Sequence, residues 1–195
     1  MQSVTCSTRS SESVIIDIAT EEISDNHDKM VYTKNTLNRN GIKEMQKLII
    51  VAGVTGVGKT SFIGAVKPHY DALNILIDTG TVSKEKAAEQ IAICLQQGLT
   101  FGIETDLSDE FVINAIKTAH ERKYYIELCY IFLPTAEECI NRVTNRLKYG
   151  GRLVSNKDII LSFNKINDRL NAILPYCNEV AYFDNFNGFV ECQSS

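Results

Sequence analysis

Residues 48–62 read LIIVAGVTGVGKTSF, and no other stretch limits the possible folds so tightly. Leu48 to Val51 is a short apolar run of the kind that suits a strand covered on both faces of a sheet. Directly behind it, Gly53, Val54, Thr55, Gly56, Val57, Gly58, Lys59 and Thr60 satisfy the spacing G-x-x-x-x-G-K-[ST]. Glycines let the backbone turn tightly and bring successive N–H groups up to an anion with no Cβ in the way. The helix expected from Thr60 to about Val66, ended by Lys67-Pro68, adds the unpaired amides and positive dipole end of its first turn. In that setting Lys59 reaches the terminal phosphates of a nucleotide such as ATP and Thr60 offers a hydroxyl to Mg²⁺, with Ser61 completing the phosphate-binding stretch.

Strand and helix signals alternate from Lys47 onward. Asn74–Asp78 (NILID) reads as a second strand, and Ser83–Gln97 as a helix with a capping serine and Gly98 just past its end. Leu99–Glu104 (LTFGIE) is a third strand, followed by a helix that Ser108 can cap and that runs to about Lys123. Tyr124–Leu133 is a fourth strand. Thr135 and Glu138 form a capping box for a helix to about Tyr149, with Gly150-Gly151 beyond it. A helix from about Lys157 to Ile173 and a fifth strand at Val180–Asp184 complete the pattern. The alternation predicts an α/β fold: a three-layer α/β/α sandwich of the P-loop NTPase type, with a mostly parallel five-stranded sheet and right-handed crossovers. Ligands in such sheets bind at the C-terminal ends of the strands.

Composition narrows the function. The chain has 195 residues, 44% hydrophobic and 23% charged, enough for one medium domain with a proper core. A net charge of −4 gives no reason to expect nucleic acid as a partner. No apolar run approaches the length of a membrane-spanning helix, and the first residues lack the core of a signal peptide. Six cysteines are scattered without a CxxC pair, which fits a reducing, cytoplasmic compartment and small core residues better than a metal cluster or disulfides. Residues 1–45 are polar and acid-rich around one apolar island, SVIIDIA, and are expected to be a tail or docking segment apart from a main domain at 46–195.

Several polar residues fall where that domain would bind. Asp78 ends the second strand; Glu104 ends the third and is followed by Thr105 and Asp106, a natural acceptor-binding set. Phosphoryl transfer needs a carboxylate near the acceptor hydroxyl, and often another for Mg²⁺ or substrate. Arg142, Arg146, Lys148, Arg152 and Lys157 have no acid between Arg142 and Lys157. Arg142 and Arg146 are four residues apart and share a helix face, and Arg152 follows two glycines that would let a lid close. Such cations stabilise phosphoryl-transfer transition states.

From about residue 46 to 186 the chain resembles the zeta-toxin group of small P-loop kinases. The resemblance rests on KLIIVAGVTGVGKTSFIGAVKP, NILIDTGTV, LTFGIETDLS, INRVTNRLKYGG and AYFDN in that order. It implies ATP- and Mg²⁺-dependent phosphorylation of a sugar hydroxyl on UDP-N-acetylglucosamine, and an antitoxin or other regulatory protein as partner. Carried over, Lys59 and Thr60 match the phosphate loop, Glu104 the acid that holds the sugar nucleotide, Arg142 and Arg146 the basic helix, and Arg152 the lid. The chain departs from the family at two points. Where the family reads D-x-D with the second Asp as base, this chain reads Asp78-Thr79-Gly80, and glycine cannot accept a proton. Where an arginine pair is usual after the lid, it has Leu161-Ser162-Phe163. Asp78 or Asp106 then serves as base, or transfer is slow, or the protein binds nucleotide without transferring phosphate. Another small-metabolite or nucleotide kinase, and a silent nucleotide-binding regulator, are the alternative readings.

Overall fold

A computed structural model describes residues 45–192 of the chain. The segment 1–45, expected to stand apart, lies outside the described residues except for Met45. Strand β1 (Lys47–Ala52) is the centre of the molecule, with Leu48 to Ala52 all buried. Each Leu, Ile or Val hidden there contributes about 1.5–3 kcal/mol. Helix α1 (Lys59–Val66) follows the glycine loop. Two short 3-10 turns, Lys67–His69 and Asp71–Asn74, then lead to β2 (Leu76–Asp78). The expected strand from Asn74 is therefore shorter. Ala72 and Leu73 are buried from within a turn, and Gly102 makes room for it, since a Cβ there would come within 2.8 Å of Leu73.

Helix α2 (Lys84–Gln97) begins at Ser83, whose side chain accepts the Lys86 amide, and ends at Gly98 in the left-handed conformation (φ +65°). Strand β3 (Phe101–Thr105) is buried throughout. Helix α3 (Glu110–Glu121) starts after Asp109, not Ser108. The expected serine cap does not form because the Ser108 amide turns back onto the Asp106 carboxylate at 3.0 Å. Strand β4 (Tyr125–Phe132) leads to α4 (Ala136–Leu147), which has the full capping box of Thr135 and Glu138. Helix α5 (Asn156–Ile173) is capped by Ser155, and β5 (Glu179–Asp184) follows.

The sheet has six strands in the order β2-β3-β1-β4-β5-β6. The sixth, β6 (Val190–Cys192), pairs antiparallel with β5 and was not expected; all other pairings are parallel. The step from β1 to β2 runs one way across the sheet, and the later steps run the other way. Right-handed crossovers therefore put α1 on one face and the remaining helices on the opposite face. In agreement, α2 touches α3, α3 touches α5, and α5 touches α4. The fold is thus α/β with a mostly parallel sheet. Because β1 sits where strand order reverses, its C-terminal loop opens into the crevice between β3 and β4. No helix among the described residues is long and apolar enough to cross a membrane.

Candidate functional site

The loop after β1 is held from outside by α4 and by Asn185. Gly56 (φ +99°) lies so close to α4 that a Cβ would come within 2.5 Å of the Cys139 carbonyl oxygen. Gly58 (φ +99°) presses equally close to the side chain of Asn185, which follows β5. Only glycine combines that left-handed backbone with such close approach. Asn185 is buried; its side-chain amide donates to the Val57 carbonyl at 2.7 Å, and its own amide donates to the Phe132 carbonyl at 3.1 Å. It ties the ends of β4 and β5 to the glycine loop.

Lys59 folds back along this loop and donates to the Gly53 carbonyl at 2.9 Å. Burial holds its ammonium below the usual lysine range, while Glu104, Asp106 and Asp78 pull the other way. Glu104, buried at the end of β3, has its carboxyl pushed up by burial and drawn back by Lys59. Its Oε1 accepts the Thr60 hydroxyl at 2.9 Å. β2–β3 register sets Asp78 beside Glu104, so two carboxylates rise from neighbouring strand ends next to the lysine. Thr105 is buried and holds the following turn, its hydroxyl accepting the Leu107 amide at 3.0 Å.

Opposite the glycine loop, the β2–α2 and β3–α3 loops form the second wall. Asp78 Oδ1 accepts the Gly80 amide at 2.8 Å, and Thr79 donates through its amide to the Glu104 carbonyl at 3.0 Å. Lys84 reaches Asp109 at 2.5 Å across the two loops. Leu107, buried with φ +57°, marks a left-handed turn that is unfavourable for a branched side chain. Arg169 of α5 steadies that turn from behind, donating to the Asp106 carbonyl at 3.3 Å and to the Ser162 hydroxyl at 2.8 Å. At Leu161-Ser162-Phe163, where the resembling kinases carry an arginine pair, Ser162 is buried and satisfied by an arginine seven residues on.

The three candidate arginines take different roles. Arg142 donates to the Asn185 and Phe186 carbonyls and so clamps the loop after β5. Arg146 is exposed and donates to the Arg152 carbonyl at 3.4 Å. Arg152 reaches across the cleft and donates to the Gly80 carbonyl on the second wall. Together these walls enclose a cavity of about 560 Å³ lined by Thr55, Gly56, Gly58, Lys59, Thr60, Ser61, Asp78, Glu104, Thr105, Asp106, Arg142, Arg146 and Arg152 among others. Gly53, Val54 and Val57 support the loop from beneath; Val54 and Val57 are buried in the core.

Of the site residues proposed from sequence, all but Gly53, Val54 and Val57 line this one cleft. Asn185, Lys84, Asp109 and Arg169 were not singled out, although Asn185 does follow the end of a strand, where ligand contacts are expected. No group of three or more His, Cys, Asp or Glu side chains among the described residues is placed to hold a metal ion unaided. A Mg²⁺ ion here fits only with most ligands supplied by phosphates and water, its usual habit beside a nucleotide. The Thr60 hydroxyl and the acid behind it suit that arrangement.

No protein-family model matches the chain. An uncharacterised protein from Haemophilus influenzae is 27% identical over 129 residues, covering 58% of this chain and 89% of that one. Similar solved structures include the PezAT chromosomal toxin–antitoxin system of Streptococcus pneumoniae (TM-score 0.56, 14% identity, 79% of this chain and 75% of that one). A candidate kinase from Chloroflexus aurantiacus matches with a TM-score of 0.50 and 16% identity over 73% of this chain and 89% of that one. An AvrRxo1-ORF1:-ORF2 structure with ATP matches with a TM-score of 0.51 and 18% identity over 75% of this chain and 57% of that one. At these identities the likeness is one of fold. That shared fold is α/β with a mostly parallel sheet.

Proposed function

We propose that this protein is an ATP-dependent kinase acting on a hydroxyl of a small molecule, with UDP-N-acetylglucosamine the first acceptor to test. The observation that carries this reading is the meeting of Lys59, Thr60, Glu104 and Asp78 at one cavity, with Arg152 drawn over its mouth. ATP would supply the phosphoryl group and Mg²⁺ would screen its charge. The α1 N-terminus and Lys59 would bind the phosphates, Lys59 leaving the Gly53 carbonyl to do so. Thr60, backed by Glu104, would ligate the metal. Asp78 is the base: its Oδ1 is fixed by the Gly80 amide, which leaves Oδ2 for the acceptor proton. In the transfer the acceptor oxygen bonds to the terminal phosphorus, the bridging P–O bond breaks, and ADP leaves with the electron pair. Arg146 and Arg152 are the cations nearest the lid and would offset the charge that develops. A regulatory protein partner, comparable to the antitoxin of the PezAT system, belongs to the same proposal.

A second reading, a nucleotide-binding protein without transfer, is favoured by Gly80, which supplies no base where the resembling kinases have an aspartate. The test is incubation of the full chain with Mg²⁺, γ-labelled ATP and UDP-N-acetylglucosamine beside Lys59→Ala. Label on the sugar nucleotide from the wild type alone is the expected result. With ATP binding verified in the same sample, absence of label would discard this acceptor.

A further inference from the structure

The stretch that carries Arg152 across the cleft has a second side. Residues 151–155 are neither helix nor strand; within them Arg152 and Val154 line the cavity, while Leu153 between them is 75% exposed. Tyr149, just before, is 90% exposed, and Ile160 and Leu161 of α5 are exposed as well. Among the described residues, four of the seven exposed large hydrophobic side chains thus fall within residues 149–161. On α5 the buried Ile159, Ser162 and Ile166 face inward. Lys157, Leu161 and Lys165 follow one another at four-residue spacing and share an exposed stripe. Apolar side chains gathered in one place mark an interaction surface, whereas single exposed ones need no explanation.

The surroundings define what fits there. Arg142, Arg146, Lys148, Arg152, Lys157 and Lys165 stand within residues 142–165 of a chain whose net charge is −4. None of them forms a salt bridge among the described residues. The single acid in that range, Asp158, is engaged by the Ser155 cap. A fitting occupant brings apolar groups together with carboxylates.

This chain carries such a segment. Residues 13–28, outside the described residues, read SVIIDIATEEISDNHD. Val14, Ile15, Ile16, Ile18 and Ile23 are its apolar groups; Asp17, Glu21, Glu22, Asp25 and Asp28 are acids, with no Lys or Arg among them. The described chain starts at the exposed Met45, just before β1. From Asp28 to Met45 an extended chain can span about 55 Å. A domain of this size has a radius of gyration of only about 15 Å, so the far face is within reach. Tethering makes the contact intramolecular, which favours this segment over a free partner of equal chemistry.

We infer that residues 13–28 dock in cis on the outer side of residues 149–165. Val14 to Ile18 cover Tyr149, Leu153 and Leu161, and the acids that follow meet Lys157 and Lys165. Docking also slows nucleotide release, a consequence that rests on the nucleotide-site reading above. The stretch is tied to α4 by the Gly151 amide, which donates to the Arg146 carbonyl at 3.0 Å, and to the opposite wall by Arg152 on the Gly80 carbonyl. A segment seated on Leu153 opposes the movement that would withdraw Arg152.

The test uses the full chain with the photocrosslinker p-benzoylphenylalanine in place of Thr20, irradiated without nucleotide at low protein concentration and mapped by mass spectrometry. Links within one chain to residues 149–165 are expected. Ile16→Asp with Ile18→Asp should lower their yield at least about tenfold, because each isoleucine contributes through the apolar area it buries. Lys157→Glu with Lys165→Glu should lower it several-fold, and adding Glu21→Lys with Glu22→Lys should restore it, a rescue that misfolding would not show. Release of the fluorescent nucleotide mant-ADP, bound with Mg²⁺, should be at least about fivefold faster in the Ile16→Asp, Ile18→Asp variant. Links that fall elsewhere, or links between two chains that vanish on dilution, overturn the docking. Unchanged release in a variant that has lost its links overturns the control of release. Failure of the wild type to bind mant-ADP removes the nucleotide reading instead, and the links, formed without nucleotide, still decide the docking.

Discussion

The two walls of the cavity are built on different terms. The phosphate wall is a continuous stretch, Gly53 to Ser61, shaped by its own glycines and fixed by Asn185 and α4 from outside. The acceptor wall is assembled from loops far apart in the chain, joined by Lys84–Asp109, Thr79–Glu104 and Arg152–Gly80. The first wall carries the glycine-loop amides and Lys59, and the second carries the carboxylates of Asp78, Glu104 and Asp106. On the proposed kinase reading, phosphate chemistry could be kept while the acceptor changes, because only the second wall need be rebuilt.

The largest break is expected on the phosphate wall. Lys59→Ala should lower transfer by at least about 10²–10³-fold, the usual cost of removing one charge-stabilising donor. The fold should survive, since the lost ammonium bonds only to carbonyls of its own loop. Thermal unfolding beside single-turnover assay checks both; collapse of the fold with the activity would contradict it. Asp78→Asn should cost about 10²–10⁴-fold as loss of the base. Gly80→Asp should not raise turnover in the wild type. A Cβ there sits 3.2 Å from Asp78 Oδ1, and a second carboxylate so close opposes ionisation of the first. A large gain would transfer the base from Asp78 to position 80.

How much of this was legible in advance differs between the walls for a physical reason. Strand β1, the glycine loop and the start of α1 form one local unit, so spacing alone identified them. Capping also works within one turn, and Thr135–Glu138, Ser83 and Gly98 stand as expected. Asn185 was invisible as a loop anchor because it acts on Val57, 128 residues earlier, through the adjacency of β4 and β5. Lys84–Asp109 and Arg169–Asp106 depend likewise on which loops the sheet order brings together. Strand β6 was missed because three half-turned residues, two of them exposed, carry no alternating pattern to read. At Ser108 a local competitor won: the Asx turn onto Asp106 took the amide and moved the helix start by a residue.

Smaller effects sharpen the same contrast. Asn185→Ala leaves the buried Val57 carbonyl without its donor, at a cost of about 1–3 kcal/mol. It should weaken ATP binding several-fold while leaving acceptor KM nearly unchanged, measured by varying each substrate in turn. Equal loss for both substrates would contradict a role confined to the phosphate wall. A further effect, on stability alone, lies in the core. Burial pushes the thiols of Cys94, Cys139 and Cys177 up to about 11 and that of Cys129 to about 12. The unfolded chain gives up these protons first, so stability is full below the ordinary thiol value of 9.0 and falls as pH rises towards the folded values. Lys59, with its value lowered, works in the opposite sense but is one group against four. Urea midpoints at pH 8 and pH 10 should therefore fall; an unchanged midpoint would show the thiols to be already accessible.

The central claim is that this cleft is a nucleotide-phosphate site, and calorimetric titration of Mg²⁺·ATP into the full chain, beside Lys59→Ala, tests it most directly. Saturable binding by the wild type at one site, with affinity reduced at least about tenfold in the folded variant, is the predicted result. No heat of binding in the wild type, or equal affinity in the two proteins, would contradict it.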